Sequence, residues 1–497
     1  VLYRCSPPVT LRFSLTTFVR TTGTTHILPF IAMFPAFTPA AKFEARLEAA
    51  ERKLLEIAKR FATQPAENFE FRTFDTHIPR SAVPCLKPAK SIRDEKLKIH
   101  SIHAYSKLPE DDASTTESTT VPLINLHGYM NAGAYFYRNL AGLVGYYRNV
   151  YSVDMLGFGL SSRPPFNEVN DNENIESAED YFVESLEAWR AVVRTCLLLV
   201  LFLSLALFGC LDVWMLCFLT IDSLPFRQNN IDKMILGGHS FGGYVAVAYA
   251  ERYPQHVDKI ILLSPLGVND KDDPNIQQKM QLLKSSLKGK AFYGVFKTVF
   301  ERKTTPGGVL RKLTAKRGMS IARKYVKRRL PEISDREESE TLSHLLYLNA
   351  VLPPSAEFFL QTILDSTLQA KKPLLFRVPN LKVKTVAFMY GTTDWMEVSG
   401  GIYAQALSDR LSKQLDGPQS QAFTPNVDVY LVPNSGHLLI LQNPDLVNKC
   451  VISIGGGTLF DDEVPTPMDL NETEELSESW MEQTMKIRAA TISCNGY

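Results

Sequence analysis

Three things are scarce in this sequence, and each scarcity excludes something. Cysteine is scattered and odd in number, at positions 5, 85, 196, 210, 217, 450 and 494, with no CxxC and no Cys/His pattern of metal-ligand spacing. That pattern leads us to expect a reducing compartment and no structural zinc. Net charge is nearly absent: 54 Lys and Arg against 53 Asp and Glu leave +1, which gives no global pull toward nucleic acid. Acidic residues are missing before Glu44, where Arg4, Arg12 and Arg20 stand among many Ser and Thr. This composition suits a mitochondrial transit peptide, and it equally suits a translated leader ahead of a true start at Met33.

Long apolar runs are missing too, with one exception. Residues 196–220, "CLLLVLFLSLALFGCLDVWMLCFLT", are long enough to cross a bilayer. The rest, 45% hydrophobic and 22% charged over 497 residues, is the composition of a globular protein, with room for one enlarged domain and tails.

Residues 43–62, "FEARLEAAERKLLEIAKRFA", carry apolar positions at helical spacing and predict an amphipathic surface helix. Two strand-like runs at 68–78 and 96–105 read as an edge hairpin. Short runs rich in Val, Ile and Leu follow at 121–128, 150–159, 232–238, 258–265, 383–391 and 427–433, most of them ending in Gly, Asp or Ser and alternating with helical stretches. This pattern predicts an α/β fold with a mostly parallel sheet covered by helices on both faces. In such sheets chemistry collects beyond the carboxyl ends of the strands.

Gly238-His239-Ser240-Phe241-Gly242 is G-x-S-x-G between the strand "KMILG" and the helical "GYVAVAYAERY". A serine on such a tight strand-to-helix turn is held in a strained, exposed conformation, and the flanking glycines let strand and helix approach. A serine hydroxyl is a weak nucleophile until a histidine takes its proton and a carboxylate orients that histidine. Asp394 in "YGTTDWM" and His437 in "VPNSGHLL" each follow a strand, in the chain order Ser, acid, His. Glu397 is the alternative acid, and Asp394 also reads as a plain turn residue. His239 and His127 are each open to a structural or a pocket-lining reading. Oxyanion donors are expected from the N–H of Phe241 and from the loop "HGYMNAG" at Gly128, with Tyr129 first and Met130 second. The glycines of that loop could equally serve a tight turn.

The segments "LHGYMNAGAYFYRN", "YSVDMLGFGLSSRPPF", "AEDYFVESLEAWR", "MILGGHSFGGYVAVAYAERYPQHVDKIILLSPLG" and "YGTTDWM" resemble the α/β-hydrolase subgroup that holds lysophospholipid lipases, lysophosphatidic acid acyltransferase-like proteins and a cardiolipin deacylase. The resemblance covers roughly 43–192 and 229–450. It implies a (lyso)phospholipid substrate, an acyl-enzyme intermediate, and neither metal nor organic cofactor. It also implies the cytoplasmic face of membranes or lipid droplets, with mitochondria as the alternative. Members credited with acyltransferase activity, which would use acyl-CoA, carry H-x-x-x-x-D at the catalytic histidine. Here Gln442 stands at that spacing after His437, and Asp445 lies three residues too late. Hydrolysis is therefore the favoured reading. The presence of Ser240 argues against a non-catalytic lipase co-activator.

The expected organisation is an N-terminal extension at 1–42 and a core at 43–269, followed by a helical cap at 270–373 inserted after the sixth strand. A second core part at 374–454 and an acidic tail at 455–497 complete it. From 274 to 330 the cap holds 16 Lys and Arg against Glu301 alone. Two readings are open: a surface that meets anionic phospholipid head groups, or a solvated face balanced by the acidic stretch at 332–340. Nucleic acid is not expected as a partner.

The apolar run at 196–220 falls where this fold needs only a short connection back to the sheet. A bilayer crossing there would separate two elements of one layer, and Asp212 would oppose insertion. A membrane-dipping hairpin is one account. The expectation preferred is a retained intron at 193–228: its removal joins "ESLEAWRAV" to "NNIDKM", it opens on "VRT", encodable with GT, and it closes on Gln, encodable as CAG.

Overall fold

The computed structural model describes residues 39–109, 119–208, 231–415, 424–458 and 466–468. Eight strands form one sheet: β1 (Phe69–Pro79), β2 (Lys96–Ser106), β3 (Leu123–Leu126), β4 (Asn149–Val153), β5 (Met234–His239), β6 (Val257–Leu263), β7 (Thr385–Gly391) and β8 (Asn426–Val432). Their order is β1-β2-β4-β3-β5-β6-β7-β8. The hairpin of β1 and β2 is antiparallel and joins β4 antiparallel, while every pairing among β3 to β8 is parallel.

Period-two alternation sends each strand's side chains to two separate cores. Ile124, Leu126, Met234, Leu236, Ile260, Leu262, Val386 and Phe388 pack on one face with the helices Ile175–Phe208 and Phe241–Arg252. Leu123, Ile235, Ile261, Leu263, Ala387 and Met389 pack on the other, with the helices Pro39–Ala58, Tyr137–Leu143 and Pro444–Gly455. This two-sided burial explains the near-continuous apolar runs in the sequence.

The predicted helix at 43–62 starts earlier, at Pro39, and its last turn tightens into a 3-10 turn at Lys59–Phe61. The run at 150–159 is strand only to Val153. Its remainder is a turn in which Gly157 and Gly159 hold φ of +86° and +52°, where a side chain would be strained. Between β6 and β7 lie the helices Pro274–Ser285, Leu287–Glu301, Pro306–Arg311, Ala315–Arg329 and Arg336–Val351, with two short ones, Phe359–Ile363 and Leu374–Arg377.

The helix that carries Trp189 runs on as backbone to Phe208. Side chains after Val192 and residues 209–230 lie outside the described residues, and with them most of the apolar run and the retained-intron expectation at 193–228. At its flanks, the Arg190 guanidinium donates to the Ile231 carbonyl at 2.7 Å, so the chain on the two sides of the segment is in direct contact. The N-terminal extension and nearly all of the acidic tail also lie outside the described residues. Among the described residues, no helix is long and apolar enough to cross a membrane.

Candidate active site

Ser240 stands at the junction of β5 and the helix Phe241–Arg252, with φ 54° and ψ −116°. A non-glycine residue in that region is strained, and it persists because its surroundings over-determine it. The Ser240 N–H donates to the Leu263 carbonyl at 2.9 Å, and its carbonyl accepts from Gly243 and Leu266 at 3.0 Å each. The glycines are sterically obligatory. A Cβ on Gly238 would lie 2.4 Å from the Gly242 carbonyl oxygen, and one on Gly242 would lie 2.2 Å from that of Leu126.

His437 follows β8, and its Nε2 lies 3.1 Å from Ser240 Oγ. Asp394 occupies the turn after β7, its side chain 2% exposed, with Oδ1 3.5 Å from His437 Nδ1. Burial pushes the Asp394 carboxyl up, but the nearby His437 imidazole, the Ser264 hydroxyl and the Met396 N–H outweigh it and hold the group below its ordinary value. The expected Ser, Asp and His are thus brought together from three strand ends. Glu397 is turned away and pairs with Lys279.

One member of this cluster was not anticipated. Ser264, at the end of β6, is fully buried with φ 50°. Its Oγ lies 2.8 Å from His437 Nδ1 and donates to Asp394 Oδ2. The only trace of it in the sequence is a serine just after a strand, "IILLSP", a signal no stronger than that of any turn residue.

The loop after β3 lies against the elbow. A Cβ on Gly128 would meet His239 Nδ1 at 3.1 Å and the Ser240 Cβ at 3.3 Å, so a side chain there would press on the elbow. His127 Nδ1–H donates to the Gly128 carbonyl at 2.8 Å while its Nε2 accepts from the Met155 N–H at 3.1 Å, which ties the loop to the end of β4. Burial lowers the affinity of His127 for a proton and keeps it neutral, as these two bonds require. Phe241 opens its helix, so its N–H has no preceding turn to bond. The Tyr129 hydroxyl donates to the Glu357 carbonyl at 2.8 Å. Met130, at φ 55°, and Asn131 both give their carbonyls to Asn349 Nδ2, at 2.7 and 2.8 Å.

His239 is 2% exposed and hydrogen-bonds through Nε2 to the His437 carbonyl at 2.8 Å. Burial, helped by the nearby His437 ring, pushes its pKa down to about 3, so the neutral ring donates from Nε2. In this position it supports the backbone of His437.

Among the described residues, one further cluster has metal-ligand chemistry: ligand atoms of Glu51, His100 and Asp154 lie within 4.8 Å of one another. Both His100 nitrogens are already engaged, with Asp75 at 2.7 Å and Glu51 at 2.9 Å. Burial opposes its charge, but these carboxylates push its pKa up to about 10. Asp154 spends its oxygens on the N–H groups of Gly133 and Leu160. A protonated imidazole between carboxylates has no lone pair for a metal.

The strained serine elbow, the parallel sheet and the histidine and acid at the ends of β8 and β7 define a class, and residues 121–444 match the alpha/beta hydrolase fold family. The chain belongs to that family. A probable 1-acylglycerol-3-phosphate O-acyltransferase of Oryza sativa subsp. japonica is 27% identical over 411 residues, covering 82% of this chain and 80% of that protein. Protein ECM18 of Saccharomyces cerevisiae is 25% identical over 470 residues, covering 85% of this chain and 91% of its own. Among solved structures, the carboxylesterase CesB from Bacillus subtilis aligns with 84% of this chain and all of its own, at 16% identity and a TM-score of 0.41.

Proposed function

We propose that this chain is a serine hydrolase that cleaves acyl ester bonds of phospholipids or lysophospholipids at a membrane or lipid-droplet surface. The observation that carries the reading is the 3.1 Å contact of His437 Nε2 with Ser240 Oγ on a strained elbow, with Asp394 behind the imidazole. His437 takes the Ser240 proton as Oγ attacks the ester carbonyl. The developing oxyanion meets the N–H groups of Phe241 and Tyr129. His437 returns the proton to the leaving alcohol, and water, activated by the same nitrogen, releases the acid from the acyl-enzyme.

The substrate class is supported by the name of the Oryza sativa relative, a probable 1-acylglycerol-3-phosphate O-acyltransferase, whose acceptor is an acylated glycerophosphate. It is also supported by the charge between β6 and β7. The acidic stretch at 332–340 does not balance that charge: Asp335 pairs with Arg60, Glu337 with Lys53 and Arg60, and only Glu340 reaches into it, to Arg323. Lys316, Arg317, Lys324 and Lys327 are exposed and make no ion pair among the described residues. Leu282, Leu287, Val309, Ile321 and Tyr325 stand exposed along the same segment, and Trp395, half exposed, lies 5.0 Å from the His437 ring. Cations near an anionic surface contribute about 1 kcal/mol each.

The relatives' names favour a second reading, transfer of an acyl group from acyl-CoA. Gln442, at the spacing where that reading wants an acid, is spent on structure: its Oε1 accepts from the Gly436 N–H at 2.9 Å, beside the base. Reaction with a fluorophosphonate probe tests the proposal. Labelling is expected in the wild type and lost in Ser240→Ala and His437→Ala, with release of fatty acid from lysophospholipid vesicles following the same pattern. Absence of Ser240-dependent labelling overturns it. Acyl-CoA-dependent acylation of lysophosphatidate without fatty acid release would favour the transferase.

A further inference from the structure

The acid of the site does not meet the histidine in the usual way. Asp394 Oδ1 is 3.5 Å from His437 Nδ1, beyond an effective hydrogen bond, whereas Ser264 Oγ is at 2.8 Å from the same nitrogen and also bonds Asp394 Oδ2. A hydroxyl has one proton to give. Facing an acceptor-only carboxylate, it gives that proton to Asp394, and its lone pair is left to accept from Nδ1–H. This arrangement places the ring proton on Nδ1 and leaves the Nε2 lone pair toward Ser240 Oγ, at 3.1 Å.

The backbone holds Ser264 there at a cost. Its φ of 50° is a conformation that side chains rarely adopt, at the end of a strand where no turn glycine is used. Its N–H is fixed to the Met389 carbonyl at 2.7 Å, and its neighbour Leu263 holds the Ser240 N–H. Strain retained at a fully buried polar residue, with the hydroxyl aimed between a carboxylate and an imidazole, is the mark of a position kept for its side chain.

We infer that Ser264 is a positioning residue that relays Asp394 to His437, so that the working unit is a chain of four groups, Asp394, Ser264, His437 and Ser240. This inference rests on the hydrolase reading. When Nε2 takes the proton of Ser240, the positive charge on the ring is stabilised through Nδ1–H to Ser264 Oγ and from Ser264 O–H to Asp394. Neither Nδ1 nor Asp394 exchanges its proton state, and no group beyond these is required.

The test uses the full chain with two substitutions. Ser264→Ala removes the hydroxyl, and Ser264→Gly removes it while relieving the positive φ, so folding and relay separate. Both variants are expected to lower kcat on a soluble ester by about 10- to 100-fold with KM little changed, the factor that one hydrogen bond to a charged group represents. The acid limb of the kcat/KM profile is expected to move to lower pH, because the imidazolium loses its acceptor. In an Asp394→Asn background, Ser264→Ala is expected to add less than about twofold, since both act through one chain. The downfield Nδ1–H proton resonance, assigned by its loss in His437→Ala, is expected to shift in both Ser264 variants. Unchanged kcat, an unmoved acid limb and an unmoved resonance would mean that Asp394 reaches His437 directly, and would overturn the relay. Loss of kcat in proportion to lost thermal stability, worse in Ala than in Gly, would mean a structural role only. A wild type without fluorophosphonate labelling refutes the hydrolase reading, and the resonance still decides the relay.

Discussion

The sharpest prediction concerns Asn349, in the helix Arg336–Val351. It is 4% exposed and makes four polar contacts. Nδ2 donates to the carbonyls of Met130 and Asn131, while Oδ1 accepts from the Gly159 N–H at 3.0 Å and from Arg163 Nη2 at 2.6 Å. The residue therefore ties the loop expected to hold the oxyanion to the turn after β4 and to the helices between β6 and β7. Three neutral hydrogen bonds at about 1 kcal/mol each and one to a charged group at about 2 give roughly 5 kcal/mol. Arg163 keeps weaker contacts to the carbonyls of Gly159 and Asn349 itself, which brings the cost of Asn349→Ala to about 4 kcal/mol. At about 2 °C per kcal/mol for a domain of this size, the unfolding midpoint should fall by about 8 °C. Asn349→Asp keeps the acceptors for Gly159 and Arg163 but replaces the donor to the loop with a carboxylate oxygen that repels the Met130 and Asn131 carbonyls. It should retain part of the stability, yet react with the fluorophosphonate probe more slowly than wild type under conditions where both are folded. Scanning calorimetry and labelling rates read the two effects. A midpoint within about 2 °C of wild type for Ala, together with an unchanged labelling rate for Asp, would refute the idea that this helix holds the loop.

Two other predictions follow from single contacts. Gly242→Ala would set a Cβ 2.2 Å from the Leu126 carbonyl and 2.7 Å from that of His127, both backbone atoms, so β3 and the elbow helix must part. The variant should lose labelling entirely or fail to accumulate as folded protein, and normal labelling would disprove the close approach. The other concerns pH: burial, aided by His437 and by Arg72 respectively, pushes His239 and His103 down to about 3. A histidine with a lowered folded value binds its proton more readily when unfolded. Its contribution is whole above the ordinary value of about 6.5 and is lost as pH falls toward 3. At pH 4.5 each would cost about 3 kcal/mol. His100, pushed up to about 10, acts in the opposite sense, contributing fully below about 6.5 and losing its contribution as pH rises through 10. Urea midpoints at pH 7 and 4.5 should differ less in His239→Gln than in wild type, and an equal drop in both would sink the argument.

The sequence by itself determined the sheet and the order of the chemistry along the chain, and it pointed to Ser240, His437 and Asp394 while leaving Glu397 open as the acid. Short runs of Val, Ile and Leu that end in Gly, Asp or Ser and alternate with helical stretches read as strands of a covered parallel sheet, and Ser240, Asp394 and His437 each follow such a run. These are local signals, carried by residues a few positions apart. Strand ends were legible only to within a few residues, since "VDMLGFG" continues the apolar pattern of β4 through a turn that two positive-φ glycines bend. What only the tertiary structure decided lies in contacts across the chain: Ser264 between Asp394 and His437, Asn349 on the carbonyls of Met130 and Asn131, His239 behind the His437 backbone, and Arg190 against Ile231. A serine, an asparagine or a buried histidine has no periodicity or spacing that announces its partner. Its role is set by which hydrogen-bonding group the fold brings to it, and that becomes visible only once the strand ends stand side by side.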